Sequence, residues 1–479
     1  MPAPDLSAPG AAGQTGFRKA LGLGDATMLV VGSMIGSGIF IVSADIARTM
    51  GSSGGLLLVW LVTGIITLFG ALAYGEMAAA MPRAGGTYVF LREALGPIAG
   101  FLFGWSLFVV IQTGTIAAVA VAFARFLGVF VPAVSPDVFL SVSTIPMPGG
   151  MIELGLSPQR IVAILVIALL TGVNLLGVRE AKWVQNIFTV AKTGALIGLI
   201  VLGVTIGRNA AAVGANFSDM FAGMPSGTTL VLAFGAAMVG SLFSSDAWHN
   251  VTFAAAEVRR PERNLPLALA LGTGLVTLLY LLANVAYLVV LTLPDIQQAP
   301  QDRVGTLAAQ GIFGTPGLYL MAGAILVSTF GCINGLILAG ARVYYAMARD
   351  GLFFARAAVL SAKRQVPAWA LAAEGIWTAF LTLTGTYAQL LDYVIFAALL
   401  FYALSMVALF RLRALYPDLP RPYRAIGYPV VPALYMIATF AIAVILLIAK
   451  PAFSFSGLVL VLLGVPVYFA WRRRQASRS

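Results

Sequence analysis

The sequence is 479 residues long, 60% hydrophobic and only 10% charged, with a mean hydropathy of +0.95. That composition excludes a soluble globular chain and points to an integral membrane protein. The formal net charge of +11 needs no nucleic acid to explain it, because the basic residues sort by side of the membrane.

The opening MPAPDLSAPGAAGQTG is polar and rich in Pro, Gly and Ala. It lacks a basic stretch followed by an apolar one, so residues 1–25 are expected to be a cytoplasmic tail and not a signal peptide. Apolar stretches follow, each long enough to cross about 30 Å of hydrocarbon as a helix. Twelve spans are predicted, roughly 26–48, 55–80, 98–127, 160–178, 184–206, 228–253, 266–292, 317–345, 367–386, 389–410, 428–448 and 455–471. Segments such as MPRAGG, PDIQQAPQD and PDLPRPYRAIGYP between them carry turn formers. Residues 472–479 are expected to be a second cytoplasmic tail. The predicted fold class is all-α and integral to the membrane, with no soluble domain.

Of the 29 Lys and Arg residues, 22 fall on the side of the termini and 6 on the other, with Lys192 inside the membrane. The larger group includes Arg83, Arg179, Arg259, Arg349, Arg411 and Arg472; the smaller is Arg48, Arg125, Arg160, Arg208, Arg303 and Lys450. By the positive-inside rule both termini face the cytoplasm, which requires an even number of spans. The single cysteine, Cys332, permits no intramolecular disulfide.

Span one contains VGSMIGSG (Val31–Gly38), and span six contains VGSLFSSD (Val239–Asp246) in the same register. Glycine costs a helix interior roughly 1 kcal/mol relative to alanine, so both spans are expected to break there. The copies are offset by five spans, an odd number, so the second is inserted upside down. The expected organisation is a five-plus-five inverted repeat, 26–206 and 228–410, with broken helices 1 and 6, followed by two further helices over 428–471. Interrupted helices in corresponding halves mark secondary transporters. The freed backbone groups are tolerated only where they line a cavity or bind a ligand. A half-helix start suits a carboxylate and opposing carbonyls suit an ammonium, so a zwitterion is the expected guest. The alternative reading of Gly36 and Gly38 is close helix packing.

Asp246 lies in the second break, either as a charge lining the cavity or as a helix N-cap. Glu374, inside span nine, reads as a packing or interhelical hydrogen-bonding residue. His249 is the only histidine, which excludes a histidine metal cluster, and it is a candidate for pH sensitivity. Asn216-Phe217-Ser218 matches a glycosylation sequon. Lys192 lies about nine residues into span five, roughly 13 Å deep at 1.5 Å per residue. Its stem can snorkel part of the way; otherwise it faces the interior and needs acceptors. An intramembrane enzyme would need paired carboxylates, HExxH or a Ser/His arrangement, and an ATP-driven pump a Walker A motif. No such arrangement is recognisable, so no catalytic residue and no cofactor is predicted.

GSMIGSGIF (32–40), FSSDAWHNVTFAAAEVRRPERNLP (243–266), VSTFGCINGLILAGARVYYAMARDG (327–351) and PDLPRPYRAIGYPVVPALY (417–435) together resemble the amino acid–polyamine–organocation superfamily, and within it the L-type amino acid transporter-like permeases. The likeness covers about residues 20–450. It implies the twelve-helix inverted-repeat fold, alternating access and amino acid substrates in a cell (inner) membrane. Carried over, the substrate carboxylate meets the amides of Gly36, Ser37 and Gly38, and the ammonium meets carbonyls near Met34, Ile35 and Phe243. Ser244, Ser245, Asp246 and Trp248 line the second break, Phe243 closes over substrate and Asn284 in span seven lies near it. His249 stands where the family usually has asparagine. The resemblance also gives Lys192 the place of a sodium ion between spans one and eight, with Ser328 and Thr329 as partners, and so implies sodium-independent transport. Neutral L-amino acids are the expected substrates, by exchange or proton-linked uptake, and a cationic amino acid or polyamine permease is the alternative. Animal members join an ancillary subunit through a cysteine between spans three and four. The segment 131–159 has none, so no disulfide-linked partner is expected.

Overall fold

The computed structural model describes residues 19–147, 150–384 and 387–476. Of the two tails predicted at 1–25 and 472–479, residues 1–18 and 477–479 lie outside these. Residues 20–21 are already docked: the amides of Ala20 and Leu21 donate to Glu257 O, and Arg259 N donates to Leu21 O. At the other end the last helix runs to Ala476, so the start of the second predicted tail is helical.

Span one is three pieces, α1 (Leu23–Met34), α2 (Gly38–Ile41) and α3 (Ser43–Met50). After it come α4 (Ser53–Ala80), α5 (Thr87–Leu95), α6 (Pro97–Ser106) and α7 (Gln112–Leu127). A π-helical turn, Leu107–Ile111, joins α6 to α7, and Thr113 Oγ1 donates to Phe108 O at 2.8 Å where the wider turn frees it. An antiparallel hairpin follows, β1 (Leu140–Met147) and β2 (Gly150–Leu156); outside this loop the described residues form helices and their connections, as the all-α class requires.

Then come α8 (Pro158–Leu176), α9 (Val178–Thr205), α10 (Ala210–Phe217), α11 (Gly227–Ser244) and α12 (Asn250–Phe253). The chain continues through α13 (Pro261–Val290), α14 (Leu293–Gln297), α15 (Val304–Phe313), α16 (Thr315–Arg349) and α17 (Ala368–Leu381). It ends with α18 (Tyr387–Leu415), α19 (Val430–Ala449) and α20 (Pro451–Ala476).

Among the described residues, 11 helical stretches are long and apolar enough to cross a membrane. The ninth expected span is the shorter α17, with 14 residues, which is roughly 21 Å at 1.5 Å per residue. The chain is a multi-pass membrane protein whose outward faces are apolar, as Leu165 (62% exposed) and Ile376 (73%) show, because lipid and not water is their solvent.

Buried ion pairs fasten the helices. Arg342 on α16 pairs with Glu257 at 2.9 Å, each side chain 1% exposed. Glu76 on α4 accepts from Arg413 at 2.8 and 2.6 Å and from Ala425 N at 2.7 Å. A buried carboxylate needs such company. Glu374 on α17 has none: among the described residues neither oxygen finds a hydrogen-bond partner, so the expected interhelical bond is not made. Asn216 is buried, its amide donating to Leu288 O and Leu291 O, which withdraws the glycosylation reading.

Candidate functional site

Both predicted breaks are present and they meet. Span one loses its helical pattern between Met34 and Gly38. Span six loses it from Ser245 to His249, where Ala247 adopts a left-handed φ of 65°. A non-glycine residue there stores roughly 1–2 kcal/mol of strain. Gly38 lies directly against Ser244: a Cβ on it would sit 2.0 Å from Ser244 Oγ.

The carbonyls freed in span one are accounted for one by one. Tyr280 on α13 donates its hydroxyl to Met34 O at 2.9 Å and lies 3.0 Å from Ser244 O, so one side chain spans both breaks. Lys192 on α9 donates from Nζ to Gly32 O (2.5 Å), Ile35 O (2.6 Å) and Ser328 O (3.4 Å). An ammonium has three hydrogens, and all three are used. Ser328 Oγ lies 3.3 Å from Ile35 O and 3.2 Å from Gly36 O, and Cys332 Sγ 3.1 Å from Ser33 O. Lys192 is 1% exposed, so it does not snorkel.

The amides behave differently. Among the described residues, those of Gly36, Ser37 and Gly38 donate to no acceptor. Three successive N–H groups at the head of the helical stretch Gly38–Met50 form a place for an anionic group. Above them Phe243 packs edge-on against Tyr387, with centroids 6.0 Å apart at 82°, and the Tyr387 hydroxyl lies 3.2 Å from Ser37 Oγ.

Other expectations change. Ile35 O already has two donors and Met34 O one, which crowds the carbonyls expected to meet an ammonium. Phe243 O accepts from Asp246 N. Asn284 is engaged by Ser43, whose hydroxyl donates to Asn284 Oδ1 at 2.7 Å. Thr329 turns back on its own helix, to Ile325 O at 2.8 Å, and does not serve Lys192. Ser244 likewise donates to Gly240 O at 2.8 Å. Asp246 is no N-cap, since His249 occupies that position of α12; its carboxylate accepts from Tyr402 on α18. Trp248 packs into an aromatic group with Tyr74 (4.8 Å) and Tyr402 (6.0 Å).

The sequence profile of the amino acid permeases matches residues 21–469. The chain belongs to the amino acid permease family. Among its relatives, this permease is 32% identical to human "Large neutral amino acids transporter small subunit 2" over 472 residues, 95% of this chain and 81% of that one. It is 30% identical to mouse "b(0,+)-type amino acid transporter 1" over 469 residues, 96% and 91% of the two chains.

Tyr280 and Tyr387 are the permease's functional candidates that sequence reasoning missed. Tyr280 lies one turn before Asn284, on the same helix face. Tyr280→Phe is expected to leave Met34 O without its donor, at about 1–3 kcal/mol for a buried group left unpaired. A lower melting temperature and slower transport, measured in the same preparation, are the expected result; unchanged values for both would deny the clamp.

Proposed function

We propose that this permease carries neutral L-amino acids across the cell (inner) membrane by alternating access, independently of sodium, with both termini cytoplasmic. The observation that carries the reading is the run of three unengaged amides at Gly36, Ser37 and Gly38, set against the end of α11 among apolar side chains. The amides take the substrate carboxylate, and Ile35, Phe243 and Trp248 favour an apolar side chain. The relatives named for large neutral amino acids support this choice. Lys192 supplies a fixed positive charge among carbonyls, which removes the need for a metal cation there. The five-plus-five inverted repeat puts the two breaks at equivalent positions, and rocking around them gives the two access states.

The chain is proposed to work without a disulfide-linked subunit and without catalysis. Its single cysteine, Cys332, is buried in α16 against Ser33 O, out of reach of a partner. The second reading, a cationic amino acid carrier, rests on Asp246, but that carboxylate is taken by Tyr402.

Uptake of labelled leucine into proteoliposomes tests the reading. Excess alanine should compete, excess arginine should not, and replacing sodium with choline should change nothing. Strong inhibition by arginine that disappears in Asp246→Asn would establish the cationic reading instead.

A further inference from the structure

We infer that Asp246, Tyr402 and His249 form a proton-binding site in the second break, separate from Lys192, which loads one proton with each substrate. The inference rests on the transport reading above and adds the coupling ion and its place.

Tyr402 on α18 donates its hydroxyl to Asp246 Oδ1. His249 Nδ1 lies 3.3 Å from the same hydroxyl oxygen and 3.9 Å from Asp246 Oδ1. Asp246 is 6% exposed and His249 3%. Beside them is a cavity of about 20 Å³, bordered by Asp246, Tyr402 and Thr67 and by the apolar Leu242, Ile395 and Leu399. That volume is large enough for one water molecule, for which the Asp246 carboxylate is an acceptor. A proton therefore has an acceptor here, with a hydroxyl and an imidazole beside it.

Among the described residues, the titratable groups facing the pair from other elements are phenolic. Tyr74 comes from α4, its ring 6.1 Å from His249; Tyr402 comes from α18; Tyr435 comes from α19, 6.3 Å from Tyr402. Among the described residues Asp246 makes no salt bridge to lysine or arginine, in contrast to Glu76 and Glu257. Those two carboxylates are fastened by guanidinium groups and Asp246 is not. Ionisable residues inside a membrane protein mark substrate, ion and proton pathways, and Asp246 differs from the likewise buried Glu374 in having a hydroxyl and an imidazole beside it.

The hydrogens can be counted. Tyr402 has one to give. With Asp246 ionised it goes to the carboxylate, and the imidazole carries its hydrogen on Nε2 with Nδ1 facing the hydroxyl oxygen. When a proton binds Asp246, the new O–H donates to the Tyr402 oxygen. The phenolic hydrogen then turns to Nδ1, with the imidazole hydrogen carried on Nε2. The site gains one proton and goes from one negative charge to none.

This change occurs inside the break. Asp246 N donates to Phe243 O at 3.2 Å, and Asn250 N donates to Ala247 O at 3.1 Å across the left-handed residue. Neutralising Asp246 weakens the hold of α18 on the segment that carries Phe243 and Ser244 against span one. Proton loading is thereby tied to the movement that closes on substrate.

The test uses the full chain in proteoliposomes, with two assays of labelled leucine. Counterflow at equal pH reads exchange alone. Net uptake under an inside-alkaline gradient, with the membrane potential clamped, reads coupling. One proton per zwitterion permits accumulation up to about tenfold per pH unit. The wild type is expected to show both activities. Tyr402→Phe and His249→Asn are expected to keep counterflow and lose gradient-driven accumulation, and substrate affinity should vary with pH in the wild type but not in Tyr402→Phe. Two variants guard against a folding failure in either. Accumulation by both variants at the wild-type level, or a wild type driven by sodium and not by protons, would overturn the inference. Absence of counterflow in the wild type would overturn the transport reading itself.

Discussion

Lys192→Met should lose most transport while the protein still folds. The wild-type ammonium is fully desolvated and bonded to three carbonyls, two on span one and one on α16. Methionine fills nearly the same space with an apolar chain. Removing a buried ion recovers its desolvation penalty, which offsets the cost of taking a donor from three buried carbonyls, so global stability changes little. The local consequence is different. Gly32 O loses its ammonium donor, and Ile35 O keeps only Ser328. Each hydrogen bond to a charged group contributes about 1.5–3 kcal/mol, and both lie at the edge of the break that must hold its shape. Transport is expected to fall by at least about tenfold, the equivalent of a single such bond, in a variant that melts near the wild-type temperature. Paired uptake and thermal-shift measurements check it. Wild-type uptake by Lys192→Met, or stimulation of the native protein by sodium, would remove this lysine from the role of a fixed cation.

That Lys192 has a partner on span one was legible because a charge in an apolar span must find acceptors, and broken spans are where acceptors are free. The breaks were legible for the same reason: glycine and serine clustered in mid-span have few other physical uses. What escaped was decided by neighbours distant in sequence. Tyr280 meets Met34 across 246 positions, and nothing in the local spacing of a tyrosine announces where its hydroxyl will point. Asn284 has the right burial and the wrong partner, since a polar side chain in a membrane helix satisfies itself with the nearest group, here Ser43. Thr329 had a cheaper local choice in the carbonyl one turn back. The hairpin over 140–156 was hidden because Pro146, Pro148, Gly149 and Gly150 read as a plain loop, although the flanking residues alternate with the period of two of a strand.

Gly38→Val should unfold or loosen the permease, and not merely block its ligand. The sequence left two uses for this glycine, access of backbone amides to a carboxylate or close helix packing, and the geometry now weights the second heavily. An added Cβ would lie 2.0 Å from Ser244 Oγ, 2.7 Å from its Cβ and 3.0 Å from its Cα. The hydroxyl can rotate only by giving up Gly240 O, and the Cβ and Cα can move only with the end of α11. Tyr280 ties that end to Met34, and Val42 is packed under Gly240, where a Cβ would come within 2.9 Å. Overpacking of a tight site costs about 1–3 kcal/mol, and valine adds two methyl groups beyond the clash. Gly38→Val is expected to melt several degrees lower and to transport almost nothing, with Gly38→Ala intermediate. The deciding variant is the pair Gly38→Ala with Ser244→Gly, which removes the obstructing Oγ and Cβ and leaves only the main chain of residue 244 nearby. It should recover part of the lost melting temperature over Gly38→Ala alone. If Gly38→Ala instead melts like the wild type and loses only affinity, and Ser244→Gly restores nothing, the glycine serves the ligand and not the packing of the two helices.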